Sequence, residues 1–123
     1  MKKINLKINF KDDRGKIIDL LEDKKINSIT FITQKKGKVR GNHFHKKTIQ
    51  WNYVVEGKLK LVTRKGNKIK KSIIAKGDLV ETSMHESHAI KALCFSKYLV
   101  FTQGPRGGKN YEKDTFRLKK KLI

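Results

Sequence analysis

Apolar residues recur at every second position through most of this chain. Ile4, Leu6, Ile8 and Phe10 share one face of an extended segment, with Asn and Lys on the other. Asp12-Asp13-Arg14-Gly15 is turn chemistry, and residues 17–21 read as a second short strand. Residues 26–34 (INSITFITQ) are β-rich, and residues 35–40 form a basic loop around Gly37. A strand over 49–55 turns at Glu56-Gly57 into a strand over 58–64. Lys65-Gly66-Asn67 is a hairpin signal that returns the chain as a strand over 68–75. After a turn at Lys76-Gly77-Asp78, short strands follow over 79–82, 88–93 and 98–102. Gly104 to Gly108 is a loop, and residues 116–123 read as a last strand or a short basic helix. No other segment holds a helical period over a useful length. Roughly nine to eleven short strands with frequent turns predict an all-β sandwich or barrel.

Length and composition narrow the picture. A chain of 123 residues makes one domain with a single core. No stretch is apolar enough to span a membrane, and MKKINLKINF lacks the continuous apolar run of a secretory signal. The single cysteine, Cys94, cannot form an internal disulfide, which suits a reducing cytoplasm. Its place in the run ALCF predicts burial. Lys and Arg number 31 against 11 Asp and Glu, a net charge of +20. The lysines spread along the whole chain and no aromatic-rich RNA-binding signature accompanies them. Charge alone is weak evidence for a nucleic-acid partner, which is not expected, and an anionic small molecule answers the charge equally well.

The chemistry concentrates in KVRGNHFHKKTIQWNYVVEG, residues 38–57. Two of the four histidines, His43 and His45, lie two apart, so an extended chain points both to one side. Gln50 can converge on them from the next strand, and His88 begins another strand after the loop at 83–87. Neutral imidazoles with one amide oxygen suit a divalent transition metal such as Zn, Mn, Fe or Ni. Asn52 shares the Gln50 face and is a candidate substrate contact, with His85 on the rim. Trp51 and Tyr53 face the other way, toward a subunit contact or the N-terminal strands. Arg40 can hold a phosphate through its planar donor fork, with Lys35, Lys36 and Lys38 beside it at the pocket mouth.

These residues resemble the cupin superfamily. Gly37, His43, His45, position 50 and Gly57 fall on the spacing of the first cupin motif, with Gln50 where the motif has Glu. Gly77 and His88 match the ends of the second motif, while Ser83, His85 and Ala92 replace its usual Pro, Gly and Asn. The resemblance implies a double-stranded β-helix, a jelly-roll barrel. It would be a single domain over 1–123, with its core at about 29–102 and a tail over 103–123. Within the superfamily, VRGNHFHKKTIQ is similar to the WxcM-like sugar-nucleotide 3,4-ketoisomerases, which also carry a Gln at this place. That group acts on dTDP-linked 4-keto-6-deoxy sugars, with histidines that move protons without a metal. This chain departs from the group in having His88, and in offering Phe31 where the group uses a tyrosine. The tail GPRGGKNYEKDTFRL is similar to the endings of small cupins of nucleotide-sugar and capsular polysaccharide synthesis.

The resemblance thus implies an isomerase or epimerase of a nucleotide-linked keto sugar. His43 or His45 would be the base, and Arg40, Asn52 and His85 would meet the substrate. His43, His45, Gln50 and His88 would hold a metal if one is used. A homodimer is expected and no organic cofactor. A metal-dependent cupin dioxygenase and a non-catalytic sugar-binding module are the rival readings.

Overall fold

The computed structural model describes all residues, Met1–Ile123. In chain order the elements are β1 (Lys2–Ile4), β2 (Phe10–Asp12), β3 (Gly15–Ile17), β4 (Ser28–Gln34), β5 (Val39–Phe44), β6 (Ile49–Glu56), β7 (Lys58–Lys65) and β8 (Lys68–Ala75). They continue with β9 (Leu79–Thr82), β10 (Ser87–Ala92), β11 (Ser96–Gln103), α1 (Gly108–Lys113) and β12 (Phe116–Arg117). One five-stranded sheet has the order β1-β9-β6-β11-β4, and a second has the order β12-β5-β10-β7-β8. Every pairing is antiparallel. Consecutive strands repeatedly cross between the two sheets, which is the jelly-roll arrangement expected from the sequence.

The turns explain how the strands are cut. Lys65 pairs with Lys68, so Gly66 and Asn67 form a two-residue loop, with Gly66 at φ 60°. Gly57 links β6 to β7 at φ 96°, and a Cβ there would lie 2.7 Å from both the Phe95 carbonyl oxygen and the Ser96 Cα. Any other residue would meet both backbone strain and a clash at this corner.

Between the sheets lies an apolar core. Leu59 pairs with Ile74 and with Ala92, and Leu61 with Ile90. Val54 and Tyr98 close over them from the opposite sheet, where the two are register partners. Val54, Leu59, Leu61, Ile74 and Val80 are fully buried. Removing side chains of this size from water stabilises the fold by roughly 1.5–3 kcal/mol each.

Several local expectations are corrected. The alternating run Ile4 to Phe10 is not one strand: β1 pairs with β9, whereas β2 pairs only with β3 as a separate two-stranded hairpin. That hairpin leaves Ile8, Phe10 and Ile17 more than half exposed, so the period-2 pattern here does not mark a core face. The strand expected over 17–21 ends at Ile17, because nothing pairs with the residues beyond it. Cys94 is exposed, since ALCF runs into the turn between β10 and β11. The tail carries a six-residue helix that the sequence period did not reveal, and β12 covers only two residues. Residues 119–121 are exposed, but the tail is tied down: the Leu122 N–H donates to Asn42 Oδ1 at 2.8 Å and the Leu118 N–H to the Asn42 carbonyl at 2.9 Å. Trp51 is 2% exposed within its own chain, its indole N–H donating to Glu81 Oε1 at 2.9 Å with the Lys24 ammonium 6.0 Å from the ring. Trp51 therefore packs against this chain rather than offering itself to a partner. No helix is long and apolar enough to cross a membrane.

Candidate functional site

One end of the barrel interior is polar. β5 carries His43, and its register partner on β10 is His88. His88 in turn pairs with Thr63 of β7. Across the barrel, Gln50 and Asn52 point inward from β6, partnered by Thr102 and Val100 of β11. The strands open here into a cleft of about 230 Å³ whose polar wall holds His43, His88, Gln50 and Asn52. Ile32, Ile90 and Val100 supply its apolar wall. Gly41 lets β5 lie close to β10: a Cβ there would fall 2.7 Å from the His88 carbonyl oxygen.

The three histidines form a cluster. The His43 ring centroid is 4.8 Å from that of His45 and 4.7 Å from that of His88, and His45 and His88 are 5.5 Å apart. Their potential ligand atoms all lie within 4.8 Å of one another. His45 is 2% exposed and sits behind the cleft wall. The carbonyl of Asp114 lies 2.8 Å from its Nδ1. A carbonyl can only accept, so Nδ1 carries the proton and Nε2 keeps a lone pair. That Nε2 is buried without a hydrogen-bond partner. His88 Nδ1 is similarly 3.3 Å from the Glu86 carbonyl.

Burial sets the protonation states. It pushes the His43 imidazole down to about 4, helped by the positive potential of His45 and Arg117. It pushes His88 down to about 3, with His43 and His45 adding to the effect. His45 is also lowered by burial, against which the Asp114 carbonyl and carboxylate work. All three are therefore neutral at pH 7. Burial opposes ionisation of Asp114, but hydrogen bonds from the Thr48 hydroxyl and the Lys46 and Lys47 N–H groups prevail and hold its carboxyl below the usual range. Asp114 thus fastens the end of α1 to the turn after His45.

Residues that sequence reasoning did not single out complete the cleft. Tyr98 lines its floor, donating its hydroxyl to Gln34 Oε1 at 2.7 Å, and burial pushes that phenol up to about 12. Gln34 in turn donates to the carbonyls of Lys38 and Ile90, so this buried polar network is satisfied. Tyr111 of α1 leans over the cleft, 5.4 Å from the His45 ring, with the Arg106 guanidinium 4.5 Å from its own ring. Tyr98 was legible as an inward position of an alternating strand. Nothing in the sequence marked Arg106 or Tyr111 beyond their place in a tail similar to those of other small cupins.

The remaining expected residues fall in different places. Arg40 lines the mouth of the cleft, with one guanidinium nitrogen 3.5 Å from the Thr33 carbonyl. Asn52 and Gln50 line the cleft, at 4% and 7% exposed. His85 stands apart: it is exposed on a turn at φ 62°, and its link to the site is its backbone N–H, which donates to the His45 carbonyl at 2.6 Å. Phe31 points outward at 58% exposed, and Ile32 is the β4 residue that reaches the cleft. The Phe31 position therefore cannot supply the tyrosine role in this chain.

Two antiparallel sheets rolled around a histidine-lined cleft define a cupin-type barrel. Residues 10–102 match the polysaccharide biosynthesis C-terminal domain family, and the chain belongs to that family. Among solved structures, it is similar to the TDP-quinovose 3,4-ketoisomerase WlaRB from Campylobacter jejuni, with 20% identity and a TM-score of 0.81 over 94% of this chain and 91% of that one. A 3,4-ketoisomerase from Helicobacter canadensis shares 22% identity at a TM-score of 0.77, covering 91% of this chain and 92% of that one. The RmlC epimerase of Mycobacterium tuberculosis shares 16% identity at a TM-score of 0.74, covering 92% of this chain and 66% of that one. No curated protein matches the chain in sequence.

Proposed function

We propose that this chain is an isomerase or epimerase of a nucleotide-linked keto sugar, working by proton transfer at the carbon beside the ketone. The observation that carries the proposal is the cleft itself. A neutral, cleft-facing imidazole at His43 stands opposite two buried amides, Gln50 and Asn52, with Arg40 at the mouth. Structural relatives described as a TDP-quinovose 3,4-ketoisomerase, a 3,4-ketoisomerase and an RmlC epimerase support this substrate class.

His43 is the base because it faces the cleft, whereas His45 lies behind it. The carbon–hydrogen bond beside the ketone breaks, the proton goes to His43, and the electron pair moves to the ketone oxygen. The Arg40 guanidinium stabilises the resulting enediolate, while Gln50 and Asn52 orient the sugar hydroxyls. The adjoining hydroxyl passes its proton to the former ketone oxygen, and return of the proton from His43 to the former ketone carbon then moves the ketone; delivery of a solvent proton to the opposite face of the first carbon instead inverts it. The negative charge of substrate and enediolate opposes the burial that lowers His43, and so assists proton uptake.

A divalent metal fits the same residues. The buried, partnerless His45 Nε2 and the gathered neutral imidazoles of His43 and His88 are the donor set a transition ion takes, with Gln50 as a neutral oxygen donor. Bound there, Zn, Mn, Fe or Ni would supply Lewis-acid polarisation of the ketone. Equilibrium dialysis with Zn, Mn and Ni tests this, and Gln50→Glu should tighten binding by adding a charge. Unchanged metal affinity in His88→Ala would remove His88 from the set. Deuterium exchange by chelator-treated protein separates the metal-free from the metal-assisted route.

The rest of this reading is a cytoplasmic homodimer. Ile29 and Phe31 leave an apolar strip on edge strand β4, at 63% and 58% exposed, beside Leu99 and Phe101 of β11. Light scattering at moderate salt should give twice the 14.3 kDa chain mass. A monomer at high micromolar concentration would remove the dimer and leave the site reading intact.

A further inference from the structure

The histidine cleft, at about 230 Å³, is the smaller of two adjoining spaces. A second cavity of about 590 Å³ opens beside it, between the turn after β5 and the segment from Pro105 to Phe116. Arg106 lines both, so its guanidinium stands at the junction. The larger space is walled by three further cations, Lys46, Lys47 and Lys113. Its one carboxylate, Asp114, is already engaged by the Lys46 and Lys47 N–H groups and the Thr48 hydroxyl. The cavity is thus a cationic space whose single acid is already occupied by the 46–48 turn.

The opposite mouth is built differently. Arg40, Lys35 and Lys38 line a smaller space of about 390 Å³. Arg40, Lys35 and Lys38 are all exposed there. Arg106, by contrast, is half-buried and packed on the Tyr111 ring at 4.5 Å, which orients its donor fork.

Building on the sugar-nucleotide reading above, we infer that the second cavity is the diphosphate subsite. Arg106 would grip the phosphate nearest the sugar, and Lys46, Lys47 and Lys113 would meet the rest of the diphosphate. The sugar then occupies the histidine cleft with the nucleoside leading away along the 105–116 segment. This places the diphosphate on the side of the cleft away from the Lys35–Arg40 loop to which the sequence alone assigned it. Arg40 remains free to face the sugar.

Paired charge removals test the placement. Lys46→Gln/Lys47→Gln and Lys35→Gln/Lys38→Gln each lower the net charge by two, so long-range attraction changes equally. All four lysines are exposed, and thermal unfolding checks that the fold is kept. Calorimetric titration with dTDP should show affinity falling about tenfold or more in the first variant and less than threefold in the second. Inorganic pyrophosphate should compete with dTDP for wild-type protein, since the cations recognise the diphosphate. Equal losses in the two variants, a larger loss in the Lys35/Lys38 variant, or failure of pyrophosphate to compete would overturn the subsite while leaving the sugar-nucleotide reading standing. If wild-type protein bound neither dTDP nor its sugar conjugates, both would fall together.

Discussion

The same strands build both ends of the barrel interior, and the two ends are opposites. Along the inward face of β6 the chain reads Gln50, Asn52, Val54; along β10 it reads His88, Ile90, Ala92; along β11, in the reverse direction, it reads Thr102, Val100, Tyr98. At the Val54–Ala92 end the core is apolar, and the buried polar groups beside it, the Tyr98 hydroxyl, the Gln34 amide and the Ser96 hydroxyl, are all hydrogen-bonded. At the Gln50–His88 end imidazoles and amides are buried, and His45 Nε2 and Thr102 Oγ1 have no partner. The apolar layers stabilise the fold, while burying the polar layer costs free energy that its own contacts do not fully return. A protein keeps such a layer where a ligand completes it. Fold stability and chemistry are therefore separated along single strands, two residues apart.

That separation can be attacked from both ends. The largest effect should come from His43→Ala, which removes the cleft-facing imidazole proposed as the base. Turnover of a keto-sugar nucleotide should fall by about 10²- to 10⁴-fold. Binding of dTDP should change little, as read by calorimetry. Leu61→Ala at the other end should do the reverse. It should cost about 2–5 kcal/mol in urea unfolding through lost contacts and a cavity, with site affinity preserved in the folded fraction.

Acid should act on the polar end. The unfolded chain takes protons on these imidazoles from about pH 6.5, whereas the folded chain holds them off His43 until about 4 and off His88 until about 3. Stability is then fully present above pH 6.5 and falls as pH drops toward those folded values. It changes by about 1.4 kcal/mol for each unit of separation at the buried His88 and by less at the partly buried His43. Urea midpoints from pH 7.5 to 4.5, with chelator present, should decline, and His88→Gln should flatten the decline. The smallest effect should come from Asn52→Val. Its register partners are Val80 and Val100, so a valine joins an apolar row. Stability should be unchanged or rise by up to about 1 kcal/mol, while sugar-nucleotide affinity drops.

Much of this contrast was written in the sequence. Alternation from 49 to 102 set the strands, and the His-x-His spacing with Gln50 and His88 named most of the polar layer. What stayed hidden has physical causes. The period-2 run at Ile4 to Phe10 looks like a core strand, yet pairing, not pattern, decides burial, and only β1 finds the barrel. Cys94 follows an apolar run into a turn, where the backbone turns the side chain to solvent. Arg106, Tyr111 and Asp114 reach the site because a six-residue helix folds back over it, and a helix so short leaves no periodic trace. Arg40 and His85 look equivalent as polar neighbours of the motif, but Arg40 lines the cleft and His85 faces away from it.

Proton transfer beside a ketone leaves a direct mark on the substrate. In deuterated water, NMR of 4-keto-6-deoxy sugars linked to dTDP, UDP or GDP should show deuterium entering the carbon next to the ketone with wild-type protein. The same signal should be lost with His43→Ala. Binding of one of these nucleotides with no exchange at that carbon, with or without added metal, would contradict the isomerase account and leave a barrel that captures sugars without turning them over.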